Sequence, residues 1–271
     1  MRYELTNETK EIKVNGTIHT LHRIKALKGF NCQGREVNVG DLGGFVETTH
    51  NLSQAQNSIA WVFDNAFVYD NAEVFGDAKV CDNATVYGSA KVYDNAKVYG
   101  DATACGSATV CNNATVFGSA KVFGFAEVYG GATVCGSAKV YGDAKVCGSA
   151  KVYGSAKVCG SVTVCNNATV FGSTKVFDNA LVYGDATVYG SATVCDNAKV
   201  CGSAKVCGSA KVYGDAKVCG SAKVCGDADI SRSEDIYYDN ANGITYMKGR
   251  NGILISNATF DDFIKTVKAN N

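Results

Sequence analysis

The sequence predicts an all-β solenoid, a parallel β-helix of hexapeptide repeats with about nine to ten triangular coils. Every sixth residue across 60–228 is alanine, except Val162 and Thr174. The second residue after each of them is valine, except Ala104 and Ile230. Two residues after each valine stands glycine, aspartate or asparagine. We call this six-residue repeat unit a word. A short unit repeated this strictly is typical of repeat proteins, in which each unit packs only on its neighbours.

Each word is predicted to form one short strand and one corner. The alanine and the valine are two residues apart, so in an extended chain both side chains point to the same side and form a small apolar interior. Glycine, aspartate and asparagine accept a left-handed backbone most readily, which places a bend at that position. The chain is therefore expected to alternate between strand and bend.

The size of the core sets the number of words in a coil. Each wall spans on the order of 17 Å, so opposite walls of a square coil would lie further apart than the ~10 Å between packed sheets. A triangular coil brings alanine and valine side chains into contact. Three six-residue words then make one coil, and residues 18 apart stack as parallel strands at about 4.8 Å.

Residues 1–58 do not follow the word and are predicted to form an N-terminal β cap with the first coil. The stretch 11–19 alternates around Asn15-Gly16, a strong hairpin signal. Two further apolar stretches, 24–27 and 37–46, follow it. A cap is expected because an exposed terminal coil is an open sheet edge.

Residues 231–271 are predicted to form a C-terminal cap after the β-helix of 59–230. The stretches 244–248 and 253–256 flank a turn with two glycines and predict a hairpin. Thr259 is positioned to cap a short helix. The apolar face of that helix consists of Phe260, Phe263, Ile264 and Val267.

Composition excludes several function classes. The formal net charge is zero, and residues 60–228 carry 14 Lys against 12 Asp and 2 Glu, so bulk charge gives no reason to expect specific nucleic-acid binding. The first ten residues, MRYELTNETK, contain no apolar core of a secretory signal. No apolar run reaches membrane-spanning length. We expect a cytoplasmic protein without a membrane partner.

Twelve of the 13 cysteines occupy the position after valine, which tyrosine and phenylalanine share. Only an 18-residue step stacks two of them, and one rung of about 4.8 Å is short enough for a disulfide. With no export signal, reduced thiols acting as small apolar surface residues are expected, without a metal. The stacked pairs are Cys147 with Cys165, Cys201 with Cys219, and Cys207 with Cys225.

The opening of the chain resembles the YdcK-type hexapeptide-repeat proteins of bacteria and phages. The residues that carry the resemblance are 24–27, 40–46, 51–54 and 61–66, and the whole resemblance covers about residues 20–230. It implies a left-handed β-helix, a handedness that the spacing alone cannot supply. It also implies membership of a family labelled as transferases.

Histidines limit the enzymatic alternatives. Hexapeptide acyltransferases resemble this chain in their repeats and use a wall histidine as general base with an acyl-CoA donor. Here only His50, near the first coil, is a candidate, whereas His19 and His22 lie on the hairpin. The related γ-type carbonic anhydrases hold zinc with histidines from adjacent coils, which this chain lacks. No metal and no cofactor are expected.

Ice binding is a further alternative and is not favoured. It would require paired threonines on a flat wall. Threonine does precede valine in several words, but cysteine, tyrosine or phenylalanine follows that valine.

One wall differs from the others in its outward residues. It stacks four lysines in consecutive rungs, whose like charges repel one another. Aromatic residues alternate with these lysines, and Phe125 stands at a corner where serine, aspartate or asparagine is usual. The predicted binding residues are Lys121, Phe123, Phe125, Lys139, Tyr141, Lys157, Lys175 and Phe177. We expect a non-enzymatic structural or binding protein that uses this wall to form a homo-oligomer or to bind a protein or another anionic ligand.

Overall fold

The computed structural model describes residues 1–231 and the backbone of Tyr238–Asp239 and Ile244–Thr245. The repeated words form a parallel β-solenoid with three flat sheets, here called face 1, face 2 and face 3. Strands 18 residues apart pair in register, as between Lys139 and Lys157 or between Val140 and Val158. Three words per coil, about ten coils and the all-β class are therefore confirmed.

The repeat strands are short because the corner takes up most of each word. Those of face 1 are Phe67–Val68, Thr85–Val86, Thr103–Ala104, Lys121–Val122, Lys139–Tyr141, Lys157–Cys159, Lys175–Val176, Thr193–Val194, Lys211–Val212 and Asp229–Ile230. Those of face 2 are Glu73–Val74, Lys91–Val92, Thr109–Val110, Glu127–Val128, Lys145–Val146, Thr163–Val164, Leu181–Val182, Lys199–Val200 and Lys217–Val218. Those of face 3 are Trp61–Val62, Lys79–Val80, Lys97–Val98, Thr115–Val116, Thr133–Val134, Lys151–Val152, Thr169–Val170, Thr187–Val188, Lys205–Val206 and Lys223–Val224.

The interior is an apolar column of alanine and valine. Nearly all of these side chains have no solvent-exposed surface. Every corner residue from Asp64 to Gly226 has a left-handed backbone, with φ between +55° and +81°. The predicted left-handed bend is therefore confirmed at every corner from Asp64 to Gly226.

Corner aspartates add a contact that the repeat pattern does not reveal. The Asp82 carboxylate accepts a hydrogen bond of 2.9 Å from the backbone N–H of Gly100, the corner one coil further on. Asp196 accepts the same bond from Gly214 at 2.8 Å. An aspartate at a corner thus tolerates the left-handed backbone and also ties two coils together.

The N-terminal segment is a cap whose last strand continues into face 1. Strands β1 (Tyr3–Val14) and β2 (Thr17–Ala26) form the predicted hairpin, and β5 (Leu42–Val46) joins β2 to the repeat strand Phe67–Val68. Strands β3 (Phe30–Cys32) and β4 (Arg35–Val37) form a second hairpin, and a 3₁₀ turn covers Thr49–Asn51.

Aromatic residues seal the first coil beneath this cap. Trp61 is buried and meets the ring of Tyr3 at 6.0 Å and that of Phe30 at 5.3 Å, both edge to face. Such pairs add to the stabilisation from burial of their area. The cap therefore closes the apolar column at this end.

The short strands Tyr238–Asp239 and Ile244–Thr245 pair antiparallel. This pairing is not the predicted hairpin between 244–248 and 253–256, because the partner of Ile244–Thr245 here is Tyr238–Asp239. The stretch 253–256 and the predicted helix after Thr259 lie outside the described residues. Among the residues that the structure describes, no helix is long and apolar enough to cross a bilayer.

Candidate binding surface

The four predicted lysines form one straight column on face 1. Lys121, Lys139, Lys157 and Lys175 pair in register from strand to strand, and all four side chains are exposed. Consecutive ammonium groups thus project from strands about 4.8 Å apart. Within residues 1–231 none of these four lysines forms an ion pair. The lysines that do are Lys25, Lys91 and Lys145. We call this column and the aromatic column beside it the lysine face.

The aromatic column lies on the other side of the valines. Phe123 and Tyr141 stack at 4.8 Å with their rings only 3° from parallel, and both are half-buried. Cys159 and Phe177 continue the column on the next two coils. The structure therefore brings together seven of the eight predicted binding residues on one flat, cationic and partly apolar surface.

Phe125, the eighth predicted residue, stands on the corner beside this face. Its side chain is 67% exposed, and within residues 60–231 no other large apolar side chain is exposed to this degree. Its backbone N–H bonds to the carbonyl oxygen of Gly142, so the coil around it is regular. The repeat does not require an aromatic residue here, because serine and aspartate occupy the positions one coil before and after, Ser107 and Asp143.

The cysteine columns correct one expectation. We expected reduced thiols, but two of the three stacked pairs are disulfide-bonded, Cys201 with Cys219 and Cys207 with Cys225. Each pair joins adjacent coils with its Cα atoms 4.6 Å apart, within the range that a disulfide spans. The third stacked pair, Cys147 with Cys165, is free. The bonds lie on faces 2 and 3 near the C-terminal end of the solenoid.

Three of the remaining thiols are poorly suited to nucleophilic chemistry. Burial raises the pKa of the Cys81 and Cys195 thiols to about 11, and it raises that of Cys32 to the same value. A thiol with a raised pKa stays protonated near neutral pH and is a weak nucleophile. These residues fit the expected role of small apolar filler.

The candidate catalytic histidine lies away from the lysine face. His50 is exposed on the 3₁₀ turn, and its Nε2 is 4.0 Å from Oε1 of Glu73 on face 2. The two residues line a groove of about 350 Å³ together with Thr49, Ser53 and Phe75. The Glu73 carboxylate also pairs with Lys91 at 3.4 Å.

The sequence did not predict one cluster of polar side chains, which lies at the cap. His19 lies on the predicted hairpin, and its ring lies against the carboxylates of Glu47 and Asp70. These residues come from the hairpin, the end of β5 and a corner, and no local spacing connects them. The only sequence signal was glutamate where later coils of face 1 have tyrosine, at Tyr69 and Tyr87.

The repeats match a known family. Residues 78–92 and 180–196 match the family model of the YdcK beta solenoid repeat. No protein with a curated description matches the chain. Both matched stretches are regular coil, with valines inside and left-handed corners, in the fold described above. The chain is thus a β-solenoid repeat protein, and two of its stretches are similar to the YdcK beta solenoid repeat.

Proposed function

We propose that this solenoid is a non-enzymatic binding protein, whose lysine face docks an acidic surface of a partner protein. The observation that carries the proposal is the run of four exposed lysines without a carboxylate partner among residues 1–231. Stacked like charges cost stability unless an opposite charge matches them. An acidic partner would supply that charge.

The apolar neighbours of the lysines favour a protein over a simple anion. Phe123, Tyr141 and Phe177 alternate with the ammonium groups, and Phe125 projects at the edge. Aromatic residues at the centre of a patch and charges at its rim are typical of protein interfaces. The balanced charge of the whole solenoid argues against nucleic acid, which would need a broad positive field.

The lysine face is also rigid. Its two central strands, Lys139–Tyr141 and Lys157–Cys159, extend one residue further than the other repeat strands. The backbone of these two strands is hydrogen-bonded to the coils on both sides, which holds the attached side chains in place. A partner would therefore meet groups that are already in position, which reduces the entropy lost on binding.

The proposal is tested with a charge-reversed surface. A variant with Lys139→Glu, Lys157→Glu and Phe125→Ser should bind poly-L-glutamate, as an acidic polypeptide probe, about tenfold more weakly than the unmodified chain. The matched control reverses two stacked lysines of face 2, Lys199→Glu and Lys217→Glu, and should retain binding. Phe125→Ser alone separates the apolar contribution from the electrostatic one.

Binding to the probe should weaken as the salt concentration rises, because exposed charges are screened. Equal loss in both charge-reversed variants would overturn the choice of face. If the unmodified chain is an oligomer in solution and the lysine-face variant is a monomer, a second copy of the chain occupies the face instead. Molecular mass from light scattering decides between these outcomes.

Acyl transfer remains the second candidate, because His50 and Glu73 line one groove. A carboxylate can orient a histidine that acts as general base. Turnover of acetyl-CoA or succinyl-CoA with amine acceptors, lost in His50→Ala, would favour it over the binding proposal. We propose no such turnover.

The proposal places the protein in the cytoplasm of a bacterium or a phage-infected cell. This setting follows the resemblance of the opening residues to proteins of bacteria and phages. Genomic position tests it. Neighbouring phage genes would support a host-interaction role, whereas a cluster for sugar biosynthesis would support a transferase.

A further inference from the structure

The strongest site outside the lysine face is a cluster of three metal-ligating side chains at the cap. Nδ1 of His19 on β2 lies 3.0 Å from Oε1 of Glu47 and 3.5 Å from Oδ1 of Asp70. The His19 residue is only 9% exposed, whereas the two carboxylates are partly open to solvent. Solvent can therefore reach the point at which the three ligand atoms converge.

The second oxygen of each carboxylate is already held by the backbone. Glu47 Oε2 accepts a hydrogen bond of 2.7 Å from the N–H of Asp70, and Asp70 Oδ2 accepts one of 3.1 Å from the N–H of Gly88. These bonds direct the remaining oxygens at the imidazole. The ring itself packs on Tyr69 at 5.0 Å, and Tyr69 stacks on Tyr87 at 5.0 Å. Such outer contacts are what fixes the orientation of metal ligands.

The separations fit a coordinated cation. Ligand atoms about 2.0–2.2 Å from a metal lie about 3.0–3.5 Å from one another in octahedral or tetrahedral geometry. The observed 3.0 and 3.5 Å fall in that range. One imidazole nitrogen with two carboxylate oxygens suits Mn²⁺ or Zn²⁺ better than Mg²⁺ or Ca²⁺, which prefer oxygen alone.

We propose that His19, Glu47 and Asp70 form a divalent transition-metal site that locks the cap onto the solenoid. His19 belongs to the hairpin, Glu47 follows β5, and Asp70 is the first corner of face 1. One cation bound to all three joins the cap to the first two coils. The two carboxylates offset the charge of the cation, and water completes the coordination shell.

The test is metal binding by the full-length, untagged chain after treatment with a chelator. Mn²⁺ is the probe, because the many thiols of this chain bind it weakly. Calorimetry should show one saturable site, and the melting temperature should rise with Mn²⁺ concentration. His19→Ala should lower the affinity by about tenfold or more, whereas the control His50→Ala, on an exposed histidine outside the cluster, should retain it.

A second variant guards against loss of the cap. Asp70→Asn keeps an oxygen for the Gly88 N–H and suits a left-handed corner, as Asn112 and Asn166 show with φ of 59° and 61°. It should weaken Mn²⁺ binding while the metal-free melting temperature changes little. Absence of a saturable site in the unmodified chain would overturn the proposal. It would also be overturned if His19→Ala and Asp70→Asn both bind Mn²⁺ as tightly as the unmodified chain. The cluster would then be only a hydrogen-bonded contact between the cap and the first coils.

Discussion

Faces 1 and 2 are built from the same word but carry different charge patterns outside. On face 2, Glu73 pairs with Lys91 at 3.4 Å and Glu127 pairs with Lys145 at 3.5 Å, each pair one coil apart. On face 1, four lysines follow one another in consecutive coils, and the acidic residue of their column, Asp229, lies three coils beyond the last of them. The fold is identical beneath both faces, so the difference is not a requirement of the fold.

This comparison separates two kinds of information in the sequence. Inward residues and corners repeat because every coil needs the same small core and the same bend. Outward residues are free to vary, and face 2 shows that glutamate is accepted in the position before valine. A lysine run kept there despite mutual repulsion points to a use outside the fold. Three predictions test the comparison.

The largest loss of stability is expected from substitutions at the corners, and it should be the same for corners of both faces. Gly142 follows face 1 with φ of +72°, and Gly148 follows face 2 with φ of +66°. A Cβ at either would lie 2.8 or 2.9 Å from a backbone nitrogen of the next coil. Valine at either corner combines a left-handed backbone with this clash and should cost on the order of 3 kcal/mol or more.

Denaturant titration of Gly142→Val and Gly148→Val measures this cost. Lys139→Val and Lys145→Val, each on the face before the corresponding corner, are the controls and should stay within about 0.5 kcal/mol of the unmodified chain. If only one of the two corners is sensitive, the faces do not share one architecture and the comparison fails.

How far the sequence predicted the structure follows from the same division. The solenoid, its three-word coil and each left-handed corner follow from spacing alone, because period and corner chemistry determine them. The start of the first coil did not follow. Leu52 bridges to Val74, but ten residues rather than six separate it from Val62, and the insertion hides the repeat.

The candidate site was predicted unevenly for a related reason. Stacking by 18 residues placed the whole lysine face correctly, since regular coils translate sequence directly into position. The His19 cluster could not be predicted, because it depends on how the cap folds back over the first coils. The bonded cysteine pairs were located correctly, but stacking leaves their oxidation state undetermined.

A moderate gain in stability is expected from a substitution in the interior beneath face 1. Thr174 occupies an alanine position and is fully buried, and its hydroxyl oxygen has no hydrogen-bond partner in the described part of the chain. An unpaired buried hydroxyl costs about 1–3 kcal/mol. Valine has nearly the same shape, and Val162 shows that this position of the word accepts it without exposure.

Thr174→Val should therefore raise the free energy of unfolding by about 1 kcal/mol or more. Thr163→Val is the control, because its hydroxyl is on the outer side of face 2 and is partly exposed. A decrease in stability for Thr174→Val would mean that the hydroxyl is paired, for example with a buried water.

The smallest effect concerns the outer charges themselves. Lys157→Glu places a carboxylate between Lys139 and Lys175, so two repulsions become two ion pairs of about 0.2–1 kcal/mol each. Stability should rise by several tenths of a kcal/mol, whereas Glu127→Lys on face 2 should lower it by a similar amount through loss of its pair with Lys145. Lys157→Gln separates removal of a charge from formation of ion pairs. All three shifts should shrink in ~1 M salt, where the Debye length is about 3 Å. If Lys157→Glu brings no gain at low salt, the lysine column costs nothing to keep, and its presence no longer indicates a partner.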